Sequence, residues 1–173
     1  MSVRTTSRLE SASNIAVIVA AIALCAVLVR NQFFTPQELG SPKSLQGATI
    51  DLASLTSSPS KRNLVMFISE TCHFCEQEMP FYRTLRENLP SQASLLAVFP
   101  PQERDPDKFL AAKAVKVDHV SGSTALAEIG VRGTPTLLLV DEHGKVERAW
   151  VGAQPPEEHA KIVESVKQSL GAS

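Results

Sequence analysis

Apolar and polar positions divide this chain into two unlike parts. Ile15 to Val29 is apolar without a break, whereas beyond Asn31 the apolar stretches are short and separated by polar turns. Leu64-Val65-Met66-Phe67-Ile68 is a near-continuous apolar run, as expected of a strand buried on both faces. Cys72 to Leu89 follows with a helical repeat in which Phe81, Leu85 and Leu89 stand four residues apart. Pro80 lies inside it and predicts a kink rather than an end. Leu95 to Phe99 is a second buried strand, stopped by Pro100-Pro101. Asp105 to Ala114 predicts a helix with Asp105 as N-cap and Pro106 at the first helical position. Val115 to Val120 alternates like a short strand, and Ser123 to Ile129 is a short helix ended by Gly130. Leu137 to Val140 is a third central strand, Asp141-Glu142-His143-Gly144 a hairpin turn, and Lys145 to Val151 the returning strand. Pro155-Pro156 opens a last amphipathic helix whose Ile162, Val163, Val166 and Leu170 face inward. Upstream, Thr49-Ile50-Asp51-Leu52 reads as a short strand and Thr56 to Arg62 as a loop. Strands alternating with helices, then a hairpin and a helix, describe a mixed α/β sheet covered on both faces.

The run from Ile15 to Val29 is roughly 15 residues, or ~22 Å of helix, short of a hydrocarbon core of ~30 Å. Ala12, Ser13, Phe33 and Phe34 extend it, with Arg30 snorkelling toward the headgroups. Three readings compete: an uncleaved signal-anchor, a cleaved signal peptide and a buried soluble helix. The residues favour the anchor. The small-x-small pattern Ala21-Ile22-Ala23 lies inside the run rather than after it, and Leu24 is a poor neighbour for a lipoprotein-type cut at Cys25. Cys25 is then most simply a membrane-buried thiol. Arg4 and Arg8 precede the run, partly offset by Glu10, while Arg30 and Lys43 follow it. This weak bias puts the N-terminus inside and the rest outside the cytoplasm. The expected organisation is a transmembrane segment over 1–34, a tether over 35–48 and a globular domain over 49–173. That is a single pass of the inner membrane with the domain facing the periplasm or cell exterior, where disulfide chemistry is expected.

Composition narrows the chemistry. Of 173 residues, 43% are hydrophobic and 20% charged, and the formal net charge is −1, so one domain plus an appendage fits and no nucleic-acid footprint shows. Three cysteines are too few for a disulfide scaffold, and the one close pair is Cys72-His73-Phe74-Cys75. That pair stands between a strand and a helix. A thiol at a helix start gains from unpaired N–H groups and the positive end of the helix dipole, which lowers its pKa below the free value of ~8.5. Cys72, at the helix entry, is assigned as the nucleophile and Cys75, one turn deeper, as the resolving thiol of dithiol–disulfide exchange.

Blander readings stand beside this one. A zinc site needs two more ligands, but His119, His143 and His159 are scattered and no second CxxC exists. Covalent haem would need a histidine after the second cysteine, where Glu76 stands. His73, if protonated, favours the thiolate and a more oxidising couple; otherwise it is a solvated helix-surface residue. Phe74 reads as a contact or packing residue. Glu70 and Glu76 either oppose thiolate formation or are simply solvated. Trp150 is expected to pack on the sheet, and the Lys/Glu-rich last helix to present a solvated face.

Together these residues resemble the thioredoxin family, over roughly Asn63 to Leu170. Cys72-His73-Phe74-Cys75 matches the redox motif, and Pro80, eight residues after the first cysteine, stands where the family's helix-kinking proline stands. Gly133-Thr134-Pro135-Thr136 matches the segment that carries the cis-proline, and Val151-Gly152-Ala153 the end of the following strand. Gly40 to Leu64 resembles the N-terminal extension of membrane-anchored, TlpA-like extracytoplasmic members. The resemblance implies a thioredoxin fold, a central mixed sheet flanked by helices, with an N-terminal transmembrane helix. It implies a cis Pro135 that shapes a substrate groove with Gly152, while the backbone of Thr134 pairs with a bound chain. The sequence departs from the family at Thr71, where Trp is common, at Met66, where cytosolic members bury an aspartate, and at His73-Phe74, where Gly-Pro is usual. The proton-transfer group is therefore unassigned.

The resulting expectation is a membrane-tethered extracytoplasmic thiol–disulfide oxidoreductase that reduces protein disulfides. It needs no cofactor beyond the Cys72–Cys75 disulfide, and its partners are disulfide-bearing proteins and a membrane thiol donor. A disulfide oxidase or isomerase, a thiol peroxidase and a CxxC metal chaperone are the alternatives. The peroxidase lacks its usual Pro-x-x-x-Thr-x-x-Cys loop, since Phe67 stands four residues before Thr71 and Thr71 abuts the cysteine.

Overall fold

The structure is a computed structural model and describes residues 42–171. Pro42–Leu45 forms a single helical turn (α1), followed by a 3-10 turn at Leu52–Ser54. The order is then β1 (Arg62–Phe67), α2 (His73–Asn88), β2 (Ala93–Phe99), α3 (Pro106–Ala112) and β3 (His119–Gly122). It continues with α4 (Ala125–Glu128), β4 (Thr136–Asp141), β5 (Val146–Val151) and α5 (Pro156–Gly171). The five strands form one sheet in the order β3-β2-β1-β4-β5. β1 is parallel to β2 and antiparallel to β4, β2 is parallel to β3, and β4 and β5 form an antiparallel hairpin.

Alternation along the strands builds two cores. Leu64 and Met66 of β1, Leu95 and Ala97 of β2, and Leu137 and Leu139 of β4 face one side, under Met79, Tyr82 and Leu85 of α2 and Ile162 and Val166 of α5. Val65, Leu96, Val98, Leu138 and Val140 face the other, under Leu45, Leu52 and Leu126. This is the mixed sheet covered on both faces that the apolar runs imply. Helix α2 continues through Pro80 rather than ending there. α3 starts as expected, with Asp105 accepting from Lys108 N at 3.2 Å. Trp150 packs against the first core. The side chain of Leu170 and the expected membrane span lie outside the described residues. Among the described residues no helix is long and apolar enough to cross a membrane.

Three expectations need correction. Thr49–Leu52 is not a strand: Thr49 makes an isolated bridge to Lys145, and Asp51 then caps the 3-10 turn by accepting from Ala53 N at 3.0 Å. That aspartate turns the chain away from the sheet. The strand expected over Val115 to Val120 forms instead at His119–Gly122. Asp118 ends the irregular stretch before it: its carboxylate accepts from Leu95 N at 2.8 Å and from both terminal nitrogens of Arg86 at 2.6 and 2.9 Å. A side chain thus takes the place of a ladder carbonyl. Finally, the expected tether does not extend to residue 48. Leu45 is 1% exposed in the second core, and Gly47 N donates to Val146 O at 2.8 Å.

The β4–β5 turn ends at Gly144, whose φ of +84° belongs to the left-handed region. A Cβ there would stand 2.0 Å from Ile50 O, against backbone that cannot yield. Gly47 has the same φ but open space around it. Gly144→Ala should therefore cost clearly more than Gly47→Ala, about 3 kcal/mol or more against about 1 kcal/mol. Urea unfolding checks this, with equal midpoints for the two variants as the contrary result.

Candidate active site

Cys72 is the N-cap of α2, and Cys75 lies in its first turn. The two are joined by a disulfide with Cα atoms 5.2 Å apart, within the range such bridges span. Cys75 is fully buried and Cys72 is not. Cys75 N donates to Cys72 Sγ at 3.1 Å, so the sulfur sits where unpaired helix N–H groups and the helix dipole favour negative charge. Thr134 O lies 3.5 Å from the same sulfur. An oxidised sulfur carries no proton, so this contact becomes a hydrogen bond only in the thiol form.

The other expected residues gather around the sulfurs unequally. The Thr134–Pro135 peptide is cis, and Thr134 O meets Cys72. Gly152 N donates to Pro135 O at 2.8 Å, which ties the end of β5 to the cis-proline loop. His73 is exposed, and its Nε2 is 3.1 Å from Gln77 Nε2 one turn along the helix. Phe74 is 58% exposed, the one large apolar side chain so exposed among the described residues. Met66 is buried within the first core.

The flanking carboxylates are engaged. Glu70 Oε1 accepts from Asp105 N at 2.7 Å, and Ser69 Oγ donates to Glu103 Oε1 at 2.5 Å, pinning the loop before Cys72 to the β2–α3 loop. Glu76 pairs with Lys113, which holds its carboxyl below the ordinary value, with a smaller contribution from the charge of His73. Among the described residues no His, Cys, Asp and Glu side chains converge in a cluster of three or more that would hold a metal.

One residue escaped the reading of the sequence. Glu78 lies one helical turn after Cys75 and is 4% exposed. Residues three apart on a helix have Cβ atoms about 5–6 Å apart, so Glu78 and Cys75 rise from the same face of α2. Glu78 Oε1 accepts from Gln154 N at 3.3 Å, and Gln154 Nε2 donates to Gly152 O at 3.0 Å. Glu78 Oε2 is 3.4 Å from His159 Nε2 on α5, without the alignment of a hydrogen bond, so their attraction is Coulombic. Burial raises the Glu78 carboxyl above the ordinary range, opposed by the charge of His159 and by the Gln154 N–H. Tyr82, buried beside it, is pushed well up by desolvation and by the Glu78 charge. The signal was available: Cys75, Glu78, Met79 and Tyr82 follow a helical spacing, so the acid stands on the apolar face.

A model of the thioredoxin-like domain matches residues 52–167. No curated protein matches the chain. Among solved structures, a thiol:disulfide interchange protein from Bacteroides sp. is 18% identical, with TM-score 0.54, over 72% of this chain and 92% of its own. A thiol:disulfide interchange, thioredoxin family protein from Chlorobium tepidum TLS is 18% identical, with TM-score 0.53, over 76% and 98%. StoA from Bacillus subtilis is 15% identical, with TM-score 0.51, over 69% and 96%. At these identities the likeness is one of fold. The family match covers both cysteines, the cis-proline segment and Gly152. The chain belongs to the thioredoxin-like family, and its Cys72–Cys75 pair, capping a helix beside a cis-proline loop, makes it a thioredoxin-fold thiol–disulfide oxidoreductase.

Proposed function

We propose that this protein reduces disulfides in extracytoplasmic proteins while tethered to the inner membrane by its N-terminal segment. The observation that carries the chemistry is the position of Cys72 Sγ, at a helix N-terminus and against Thr134 O. In the reduced protein the Cys72 thiolate attacks one sulfur of a substrate disulfide. A bond forms from Cys72 Sγ to that sulfur, and the other substrate sulfur leaves as a thiolate. Cys75 then gives its proton to the Glu78 carboxylate and attacks Cys72 Sγ. The Cys72–Cys75 disulfide closes, the second substrate sulfur is released, and the substrate has taken up two electrons. A carboxyl whose proton affinity is raised by burial is a better-matched acceptor of a thiol proton than an ordinary one. Thr134 offers its backbone, and Phe74 an apolar contact, to the bound chain.

The charges around the sulfurs support the reducing direction. Glu78 places a carboxylate one turn from Cys75, which disfavours accumulation of a second negative charge on the dithiol. His73, the residue that would make the couple oxidising, has Gln77 as its neighbour on the exposed helix surface. A less stabilised thiolate is a better reductant. Recharging then requires a dithiol donor in the membrane.

Two outcomes follow. Cys75→Ser should accumulate mixed disulfides through Cys72, visible as adducts on non-reducing gels, while Cys72→Ser forms none and insulin reduction by either variant falls to background. Adducts on Cys72→Ser alone would reverse the assigned roles. In intact cells, a membrane-impermeant maleimide should label reduced Cys72, and the full chain should stay with membranes after alkaline extraction. Labelling only after lysis, or release by alkali, would rule out the proposed location.

A further inference from the structure

Glu78 is the only buried carboxylate among the described residues. Its surroundings are few. From α2 comes Tyr82, from the turn after β5 the N–H of Gln154, and from α5 the imidazole of His159, while Cys75 stands one helical turn before Glu78 on the same buried face of α2. His159 is itself held. Its ring stacks on Phe81 with centroids 4.1 Å apart and an interplanar angle of 12°, and its side chain is 25% exposed. Its Nε2 is buried, faces Glu78 Oε2 and has no hydrogen-bond partner. The outer side of the ring lines a cleft of about 550 Å³ between α2 and α5, together with Pro156, Glu164 and Lys167. Lys167 Nζ is bonded to Asn88 Oδ1 at 2.9 Å. The ring is therefore reachable by solvent protons on one side and faces the buried acid on the other.

We infer that His159 is a positioning residue for the thiol chemistry: facing Glu78 across the α2–α5 contact, it sets the pH range in which Glu78 can accept the proton of Cys75. The inference rests on the reading of Glu78 as that acceptor. The physical reason is specific to this pair. A buried carboxylate without a cation retains its proton, and a protonated carboxyl cannot take another. Imidazole is the side chain whose ordinary titration falls near neutral pH, so a cation of this kind responds to pH where a lysine or arginine would not. The Phe81 stack supplies the orientation.

The test uses the full chain, reduced, against 5,5′-dithiobis(2-nitrobenzoate) in stopped-flow. One thionitrobenzoate leaves when Cys72 attacks and a second when Cys75 resolves, so the resolving step is read separately across pH. In the native protein the second phase should rise with pH along one acid limb. Glu78→Gln should abolish that limb. His159→Gln should move it to higher pH by about one unit, so that on the acid side the second phase slows roughly tenfold while the first phase is unchanged. His159→Arg, which keeps a cation able to stack on Phe81, should return the limb to the native position or below it. Loss of packing alone would lower the unfolding midpoint without moving the limb. If Glu78→Gln removes the limb and His159→Gln leaves its midpoint in place, the inference fails and the acceptor role of Glu78 stands. If the limb survives in Glu78→Gln, the acceptor role fails. Should the variants not fold, the carboxyl carbon of Glu78 in the labelled native chain decides. A second inflection at the imidazole titration is expected, and a single inflection would overturn the inference.

Discussion

The site depends on one constraint: a sulfur must sit at the exposed start of a helix whose next turn is buried. Cys72 satisfies it as the N-cap of α2, with the N–H of Cys75 directed at its sulfur. The free N–H groups of a helix start give a thiolate the solvation it would otherwise take from water. The rest of the fold serves this position. β1 delivers the chain to it from the middle of the sheet, β4 brings Thr134 to the same sulfur, and β5 supports that loop through Gly152. The loop between β1 and α2 is tied outward through Glu70 and through the Ser69–Glu103 bond.

Charge is arranged around the pair by compensation. Glu70 and Glu76 flank the motif and would each oppose a thiolate if left free. One is bonded to a backbone N–H and the other to Lys113. The acid that remains is Glu78, whose partner is on a different helix and whose burial raises its proton affinity. Two thiols of unequal exposure, and a buried carboxyl one helical turn beyond the inner one, are arranged in depth along α2.

Much of this was legible in the chain. Runs such as Leu64 to Ile68 and Leu137 to Val140 announce central strands because burial on both faces leaves no polar positions. The cysteine pair, Pro80 and Thr134-Pro135 are local marks, and local marks survive in sequence. The misreadings have a common cause. At Asp51 and at Asp118 a carboxylate takes a backbone N–H, and short strand patterns do not reveal such side-chain substitutions. Glu78 was missed for a different reason. Helical spacing places it on the buried face, but its partner His159 lies far along the chain. No spacing rule links positions on two helices that meet only after folding.

The central claim is that this dithiol is poised to give electrons rather than take them, and its reduction potential tests that most directly. Equilibration of the Cys72–Cys75 couple in glutathione or dithiothreitol buffers should give a value near the thioredoxin range of about −270 mV. A value near the ~−120 mV of a strong disulfide oxidant would contradict the account, because the Cys72 thiolate would then be far better stabilised than these charges allow.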